Sequence, residues 1–194
     1  MGMYYTYKMT PDTLEDVRGM AAEARDVIDH VYLHWTAGHY EQAYDDYHIC
    51  IGEHGEIYIM CDDFREVLAH TWRRNRYAVG VALCCCPDAT ALADGSIDLG
   101  TEPPTTEQIE SLAQVVAVLA DEFMLPLDCS DYVMTHCEAA ELDDYGPSTT
   151  CERWDLWYLP DEYGAYGALE PGGDLIRGKA AYYQRIWAHD EMGD

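Results

Sequence analysis

Five short apolar runs rich in β-branched and aromatic residues predict the strands of a sheet. They lie at 27–33, 45–52, 56–60, 78–84 and 131–135. Between the second and third runs, Glu53-His54-Gly55 supplies a tight turn with a glycine that can take a positive φ, so we predict a β-hairpin. The run from Ala78 to Cys84 contains no charged residue, which predicts a central strand buried on both faces.

Helical periodicity predicts two helices that flank this sheet. Residues 13–26 have the pattern of an amphipathic helix. Residues 106–123 carry apolar side chains at helical spacing and are preceded by Thr105, with Gln108 three residues further on. That pair is typical of a capping box, and Pro126 marks the end of the helix.

The remaining segments give less regular patterns. A further helix is predicted over 179–189, a helical turn at 153–157, and a short helix within the polar stretch 62–77. Residues 87–104 and 138–150 are predicted to be loops, since Asp, Gly and Pro are frequent in the first and polar residues in the second.

The order helix, strand, hairpin, strand, helix, strand predicts an α/β fold with a mixed central β-sheet flanked by helices. Neither an internal repeat nor a low-complexity linker interrupts residues 1–194, so we expect a single domain. Two of the predicted strands end on a histidine, His34 and His136, and we expect both to lie on the same rim of the sheet. Imidazoles held on a rigid sheet edge are suited to binding a metal ion.

Charge and composition exclude several classes of partner. With 37 acidic against 11 basic residues, the net charge is −26, so we expect no nucleic acid to bind. No apolar stretch approaches the roughly 20 residues of a membrane span, so no membrane insertion is expected. The N-terminus lacks a signal-peptide pattern, which predicts synthesis in the cytoplasm, so that any action outside the cell would need release or delivery by another component. The 8 cysteines include no CxxC pair, and most of them are expected to be free, buried thiols.

Several segments, taken in chain order, resemble one enzyme family. They are His34–Gly38, Tyr47–Ile51 with the Gly55 turn, Ala69–Thr71, Ala78–Leu83 and Thr135–Ala139. The family is that of the zinc-dependent N-acetylmuramoyl-L-alanine amidases, which includes phage endolysins and peptidoglycan recognition proteins. The resemblance covers about residues 28–160 and leaves 161–194 as a C-terminal extension. It implies the same fold and hydrolysis, in peptidoglycan, of the amide between N-acetylmuramic acid and L-alanine of the stem peptide.

The resemblance also implies one catalytic Zn²⁺, with His34 and His136 as its first two ligands. For the third ligand, the segment Cys151-Glu152-Arg153-Trp154-Asp155-Leu156 has the Cys-x-x-aromatic-Asp-Leu form of phage members. It points to Cys151, with Asp155 as the main alternative, and Asp143 and Asp144 also remain open. A thiolate and a carboxylate both suit zinc and leave a fourth position for water.

Catalytic roles follow by the same match. Tyr47 corresponds to a tyrosine that helps to stabilise the tetrahedral intermediate; the alternative is a cross-strand packing aromatic. Some amidases have a glutamate base in the central strand, where this chain has Ala82, and the usual lysine near the third ligand is not evident. Glu138, two residues after His136, is therefore a candidate either for the base or for a hydrogen-bonding partner of the ligands.

The predicted substrate-binding residues are His70, Trp35, Arg73 and Arg74. His70 matches a loop histidine that lies near the substrate in relatives. The arginines belong to a run that concentrates 3 of the 11 basic residues within four positions, 73–76. We hypothesise that they bind carboxylates of the stem peptide; internal pairing with the many acidic residues is the alternative.

The leading hypothesis is thus a zinc-dependent peptidoglycan amidase, in particular a phage-type endolysin. The alternatives are a non-catalytic peptidoglycan-binding module of the same fold, or a related amidase that cleaves a different amide. The third ligand discriminates, because a chain in which neither Cys151 nor Asp155 reaches the metal would favour the binding module.

Overall fold

The fold is built around a five-stranded sheet. The computed structural model describes residues 1–92, 95–161 and 168–191. The strands are β1 (Met3–Tyr5), β2 (His30–Trp35), β3 (Gln42–Tyr44), β4 (Ile49–Ile51), β5 (Ile57–Ile59), β6 (Ala78–Leu83), β7 (Thr90–Ala91), β8 (Ile97–Asp98), β9 (Val133–Thr135), β10 (Tyr158–Pro160) and β11 (Leu169–Pro171). The helices are α1 (Leu14–Ala24), α2 (Thr106–Glu122), α3 (His136–Leu142) and α4 (Gly172–Glu191), with a 3-10 turn at Thr6–Lys8.

The central sheet is mixed, as the sequence predicts. Its strand order is β5-β4-β6-β2-β9. Strands β4, β6, β2 and β9 run parallel to their neighbours, and β5 pairs antiparallel with β4 to close the predicted hairpin. Gly55 takes a φ of +84° in the hairpin turn, which confirms the role predicted for this glycine. Every residue of β6 is buried, as expected of a strand covered on both faces.

The register of β2 brings the two strand-end histidines together. Leu33 of β2 is paired with Thr135 of β9, so His34 and His136, the next residue along each chain, are neighbours across the ladder. They lie at the carboxyl ends of parallel strands, the edge of an open α/β sheet where ligands bind. The prediction that both occupy one rim is confirmed.

Helix α2 packs on the sheet and is fixed at its start by the predicted capping box. The Thr105 hydroxyl accepts from the backbone N–H of Gln108 at 3.1 Å, and the Gln108 side chain accepts from the Thr105 N–H at 3.1 Å. The buried amide of Gln108 also donates to the carbonyls of Ile51 and Cys84, at 3.1 and 2.9 Å. One side chain therefore ties the helix to the ends of two strands.

Other local predictions are corrected by the structure. Helix α3 occupies the first part of the stretch 138–150 predicted as loop, because Thr135 and Glu138 form a second capping box. Residues 62–77, all described, form turns without the predicted short helix. The turn at Trp154–Trp157 does not continue into a helix, and the predicted loop 87–104 contains the short β7–β8 ribbon. The C-terminal helix starts at Gly172, seven residues before the predicted position.

Two further findings bear on the composition. All eight cysteines are free, as predicted, and five of them are buried. Their packing as small apolar side chains is typical of unpaired thiols. Within the described part of the chain, no helix combines the length and the apolar character needed to cross a membrane.

A buried histidine and a glycine shape the floor beneath the rim. His48 accepts from the Gly80 N–H through Nδ1 at 2.9 Å and donates from Nε2 to the Glu66 carbonyl at 3.0 Å. A Cβ built on Gly80 would lie 2.6 Å from Cγ of His70. The absence of a side chain at Gly80 therefore lets the His70 ring lie directly on β6.

Replacing Gly80 with Ala should lower the free energy of unfolding by about 1–3 kcal/mol, because the ring of His70 must move. Urea unfolding measures this change. Gly19→Ala, at an exposed position inside α1 with open space around it, is the matched control and should raise stability by about 0.5–1 kcal/mol. Equal stability of Gly80→Ala and wild type would contradict the close approach of His70 to β6.

Candidate active site

Three buried side chains converge at the rim of the sheet. Nδ1 of His34 lies 3.1 Å from Nδ1 of His136 and 3.1 Å from Oδ2 of Asp155. Nδ1 of His136 lies 3.2 Å from the same carboxylate oxygen. Each residue is no more than 6% exposed. Among the residues that the structure describes, this is the group of His, Cys, Asp and Glu side chains arranged to hold a metal ion.

Each donor is positioned by a different local structure. His34 is the penultimate residue of β2, and His136 is the first residue of α3, directly after β9. Asp155 lies in the turn that precedes β10, and its carbonyl accepts from the Cys137 N–H at 3.3 Å. The sheet thus fixes the two imidazoles, and a loop brings the carboxylate to them.

Thr71 orients the buried imidazole of His34 from the other side. Its hydroxyl oxygen lies 3.2 Å from Nε2 of His34 and 2.9 Å from Nδ1 of His70. The Thr71 N–H donates to the Asn75 side chain at 2.7 Å, which holds the loop in place. A partner on Nε2 leaves Nδ1 of His34 to face the cluster. The matching segment Ala69–Thr71 includes Thr71, but sequence reasoning assigned it no role, because a hydroxyl in a polar loop does not reveal which side chain it contacts.

Burial and mutual contact set the protonation states. Burial lowers the pKa of His34 to about 4, against a partly compensating hydrogen bond with Asp155. Burial alone would raise the pKa of Asp155, but the imidazole of His136 and then that of His34 outweigh it and hold the pKa well below its usual range. At neutral pH the site therefore offers an uncharged imidazole and an ionised carboxylate, the forms that bind metals.

The donor set fits a zinc ion. Tetrahedral ligands about 2.0–2.1 Å from Zn²⁺ lie roughly 3.3 Å from one another, close to the observed separations of 3.1–3.2 Å. Two imidazoles and one carboxylate are also a known catalytic combination that leaves the fourth position open. The structure thus places His34, His136 and Asp155 where a single ion could be held.

The structure brings Asp155, and not the preferred candidate Cys151, to the two histidines. Cys151 lies outside the cluster, in a loop where its N–H donates to the Gly146 carbonyl at 2.8 Å. Asp155, the alternative, takes its place. Of the other two candidates, Asp143 is paired with Arg74, and Asp144 lines a neighbouring cavity. The spacing along the sequence does not show which of Cys151 and Asp155 faces the histidines, because the chain turns between these two residues.

Two cavities meet at the cluster. One, of about 500 Å³, is lined by aromatic and small residues that include Trp35, Tyr47 and Trp154. The other, of about 520 Å³, is lined by Trp72, Tyr145 and acidic side chains. They share the wall formed by Ala69, His70, His136, Glu152 and Arg153. A linear molecule bound across this wall would extend on both sides of the His136 ring.

Three of the residues predicted for catalysis or substrate binding line these cavities. Tyr47 packs beside His34 with ring centroids 5.2 Å apart, and burial raises the pKa of its hydroxyl. His70 is buried between His34 and His48, with centroids 5.4 and 5.5 Å away, and lines both cavities. Trp35 lies edge-on to Trp154 at 5.1 Å in the first cavity. All three side chains thus line the cavity next to the cluster, and their roles toward a substrate stay predictions.

The other predicted residues are engaged elsewhere. Arg74 forms a two-pronged ion pair with Asp143 at 2.7 and 2.8 Å, which is the internal pairing named as the alternative. Arg73 stacks on Trp72 at 4.6 Å and is absent from both cavity linings. Glu138 is bound by Arg177 and by the N–H of Thr135. The structure therefore gives no support to Glu138 as a base or to these two arginines as substrate ligands.

Arg153 is a cation that sequence reasoning overlooked. It lines both cavities and lies two residues before Asp155. Its charge acts on His34 and on Tyr47, lowering the pKa of both groups as a minor contribution. Its position two residues before Asp155 was the signal available in the sequence.

The fold and the cluster define an α/β protein with a candidate metal site, and sequence comparison identifies its family. The profile of the N-acetylmuramoyl-L-alanine amidase family matches residues 24–154, so the chain belongs to that family of peptidoglycan-cleaving amidases. The matched region contains His34 and His136 and ends one residue before Asp155. No curated protein matches the chain. Among solved structures, the Ph2119 endolysin from Thermus scotoductus MAT2119 bacteriophage Ph2119 is similar, with a TM-score of 0.42 and 15% identity over 57% of this chain and 72% of the endolysin chain.

Proposed function

We propose that the chain is a zinc-dependent N-acetylmuramoyl-L-alanine amidase whose metal is held by His34, His136 and Asp155. The observation that carries the proposal is the convergence of these three donors, 3.1–3.2 Å apart, beside two cavities whose shared wall includes His136. A bound Zn²⁺ would polarise the scissile carbonyl and make water nucleophilic at neutral pH.

The two cavities suit a substrate that is extended on both sides of the cleaved bond. In peptidoglycan the glycan strand lies on one side of the lactyl amide and the stem peptide on the other. The shared wall would hold the amide itself, next to His136 and His70. A site with a single closed pocket would not accommodate such a polymer.

Tyr47 and Arg153 are the groups that would stabilise developing negative charge on the carbonyl oxygen. Since its pKa is raised by burial, Tyr47 keeps its proton at neutral pH and can donate a hydrogen bond. Arg153 adds a permanent positive charge at the junction of the two cavities. Together they place one donor beside His34 and one cation in the wall shared by the two cavities.

His34, Thr71 and His70 form a chain of polar contacts that would hold a proton in place. With Nδ1 of His34 directed at the cluster, the proton lies on Nε2 and is donated to the Thr71 hydroxyl at 3.2 Å. That hydroxyl can then donate to Nδ1 of His70 at 2.9 Å. The contact with Thr71 therefore favours the His34 tautomer that leaves Nδ1 free to bind a metal.

A phage-type lytic setting, predicted from the motifs, remains a prediction.

Asp155→Ala should weaken Zn²⁺ binding by more than about 100-fold, since even a change outside the ligand shell typically costs 10–100-fold. Competition with a chromophoric chelator measures the affinity. Cys151→Ser, four residues earlier in the same loop, is the matched control and should bind zinc like the wild type. Loss of zinc from the Cys151 variant alone would reverse the ligand assignment.

Purified peptidoglycan treated with the zinc-loaded chain should release new L-alanine amino groups, and His136→Ala should release none. Dinitrophenylation of the newly exposed amino termini identifies the cleaved bond. Stoichiometric zinc without any cleavage would instead indicate the non-catalytic binding module.

Arg153→Met should lower kcat by about 10²–10³-fold, the range found when one oxyanion-stabilising group is removed. KM should change less, because the charge is needed most in the transition state. The control is Arg76→Met, which removes an exposed arginine that stacks on Tyr77 and lines neither cavity. Equal kcat values for the two variants would exclude Arg153 from the reaction.

A further inference from the structure

Arg177 of α4 is a buried cation at the junction of three segments. Its side chain is 6% exposed. Nη1 donates to the Val133 carbonyl at 2.9 Å and to Oε2 of Glu138 at 2.9 Å. Nη2 donates to Oε1 of Glu138 at 2.8 Å and to Asp174 at 2.7 Å. The guanidinium thus joins α4 to β9 and to the first turn of α3.

Glu138 is connected to the metal cluster through the backbone from Thr135 to Glu138, which includes His136. Glu138 accepts from the Thr135 N–H at 2.8 Å, and the Thr135 hydroxyl accepts from the Glu138 N–H at 3.1 Å. His136 lies between these residues, as the first residue of α3. Arg177 therefore holds the backbone that carries His136 while leaving its imidazole free.

The same C-terminal segment supports Asp155. The Gly172 N–H donates to the Trp157 carbonyl at 3.1 Å, and a Cβ on Gly172 would lie 2.2 Å from the Leu156 carbonyl oxygen. Strand β11, directly before α4, pairs with β10, which begins three residues after Asp155. Leu156 and Ile176 of α4 are fully buried in the same core. The start of α4 consequently packs against the turn that presents Asp155.

Helix α4 lies beyond the family match, which ends at residue 154. The two segments that it supports carry two of the three metal donors. We infer that Arg177 is a positioning residue of the metal site, and that α4 completes the site by holding His136 and Asp155 in place opposite His34. The inference rests on the proposed function, in which this cluster binds Zn²⁺.

The experiment compares Arg177→Met with Lys179→Met. Both variants remove one cation from α4 and introduce the same residue, but Lys179 pairs with Glu110 of α2, away from the cluster. Zn²⁺ affinity is measured by chelator competition on the folded full chain, with folding checked by circular dichroism. The visible absorption of the Co²⁺-substituted proteins reports the coordination geometry independently of activity.

Arg177→Met should bind Zn²⁺ on the order of 10–100-fold more weakly, as for other residues that hold metal ligands in place. Its Co²⁺ spectrum should change, and both properties should be unchanged in Lys179→Met. Arg177→Lys should fall between wild type and Arg177→Met, because an ammonium retains the charge but cannot form the fork. If Arg177→Met does not fold, Arg177→Lys decides by the same comparison.

Equal zinc affinity and equal Co²⁺ spectra for the wild type and the folded Arg177 variant would overturn the inference. So would equal losses in the Arg177 and Lys179 variants, since a general loosening of α4 would then account for both. Failure of the wild type itself to bind zinc would instead reject the proposed function. The two failures are therefore distinguishable within one series of measurements.

Discussion

The in-register parallel pairing of β2 with β9 is the constraint on which the site depends. It makes Leu33 and Thr135 partners, and so brings Nδ1 of His34 within 3.1 Å of Nδ1 of His136 across 102 residues of sequence. A slip of one residue would turn one of these side chains to the opposite face of the sheet. The buried apolar residues of β2 and β9 fix this register, so the core also positions the chemistry.

The third donor has no such support from the sheet. Asp155 is presented by a turn, and that turn is held by β10, β11 and the start of α4. The site therefore combines a rigid edge with a segment that depends on the later part of the chain. Arg177 links the sheet edge to this later segment. It belongs to α4, whose start packs against Leu156 next to Asp155, and it binds Glu138, two residues after His136.

The number of arginines in a segment does not show which of them is available to a substrate. In a chain of net charge −26, the run of arginines at 73–76 is the obvious basic feature. Yet Arg74 is neutralised by Asp143, whereas the isolated Arg153 lines both cavities. Ion pairing in the folded structure decides which arginine can reach a substrate, and clustering of arginines along the sequence does not reveal it.

Sequence alone determined the alternating and continuous apolar runs of the sheet, the capping box of α2, and the two histidines at strand ends, because these depend on neighbours a few residues apart. The capping box of α3 was equally local, although it was overlooked between Thr135 and Glu138. The approach of Asp155 rather than Cys151 to the two histidines, the contact of Thr71 with His34 and the buried ion pair of Arg177 with Glu138 were decided only by tertiary structure. Each depends on which way a loop turns, and packing against distant segments sets that direction.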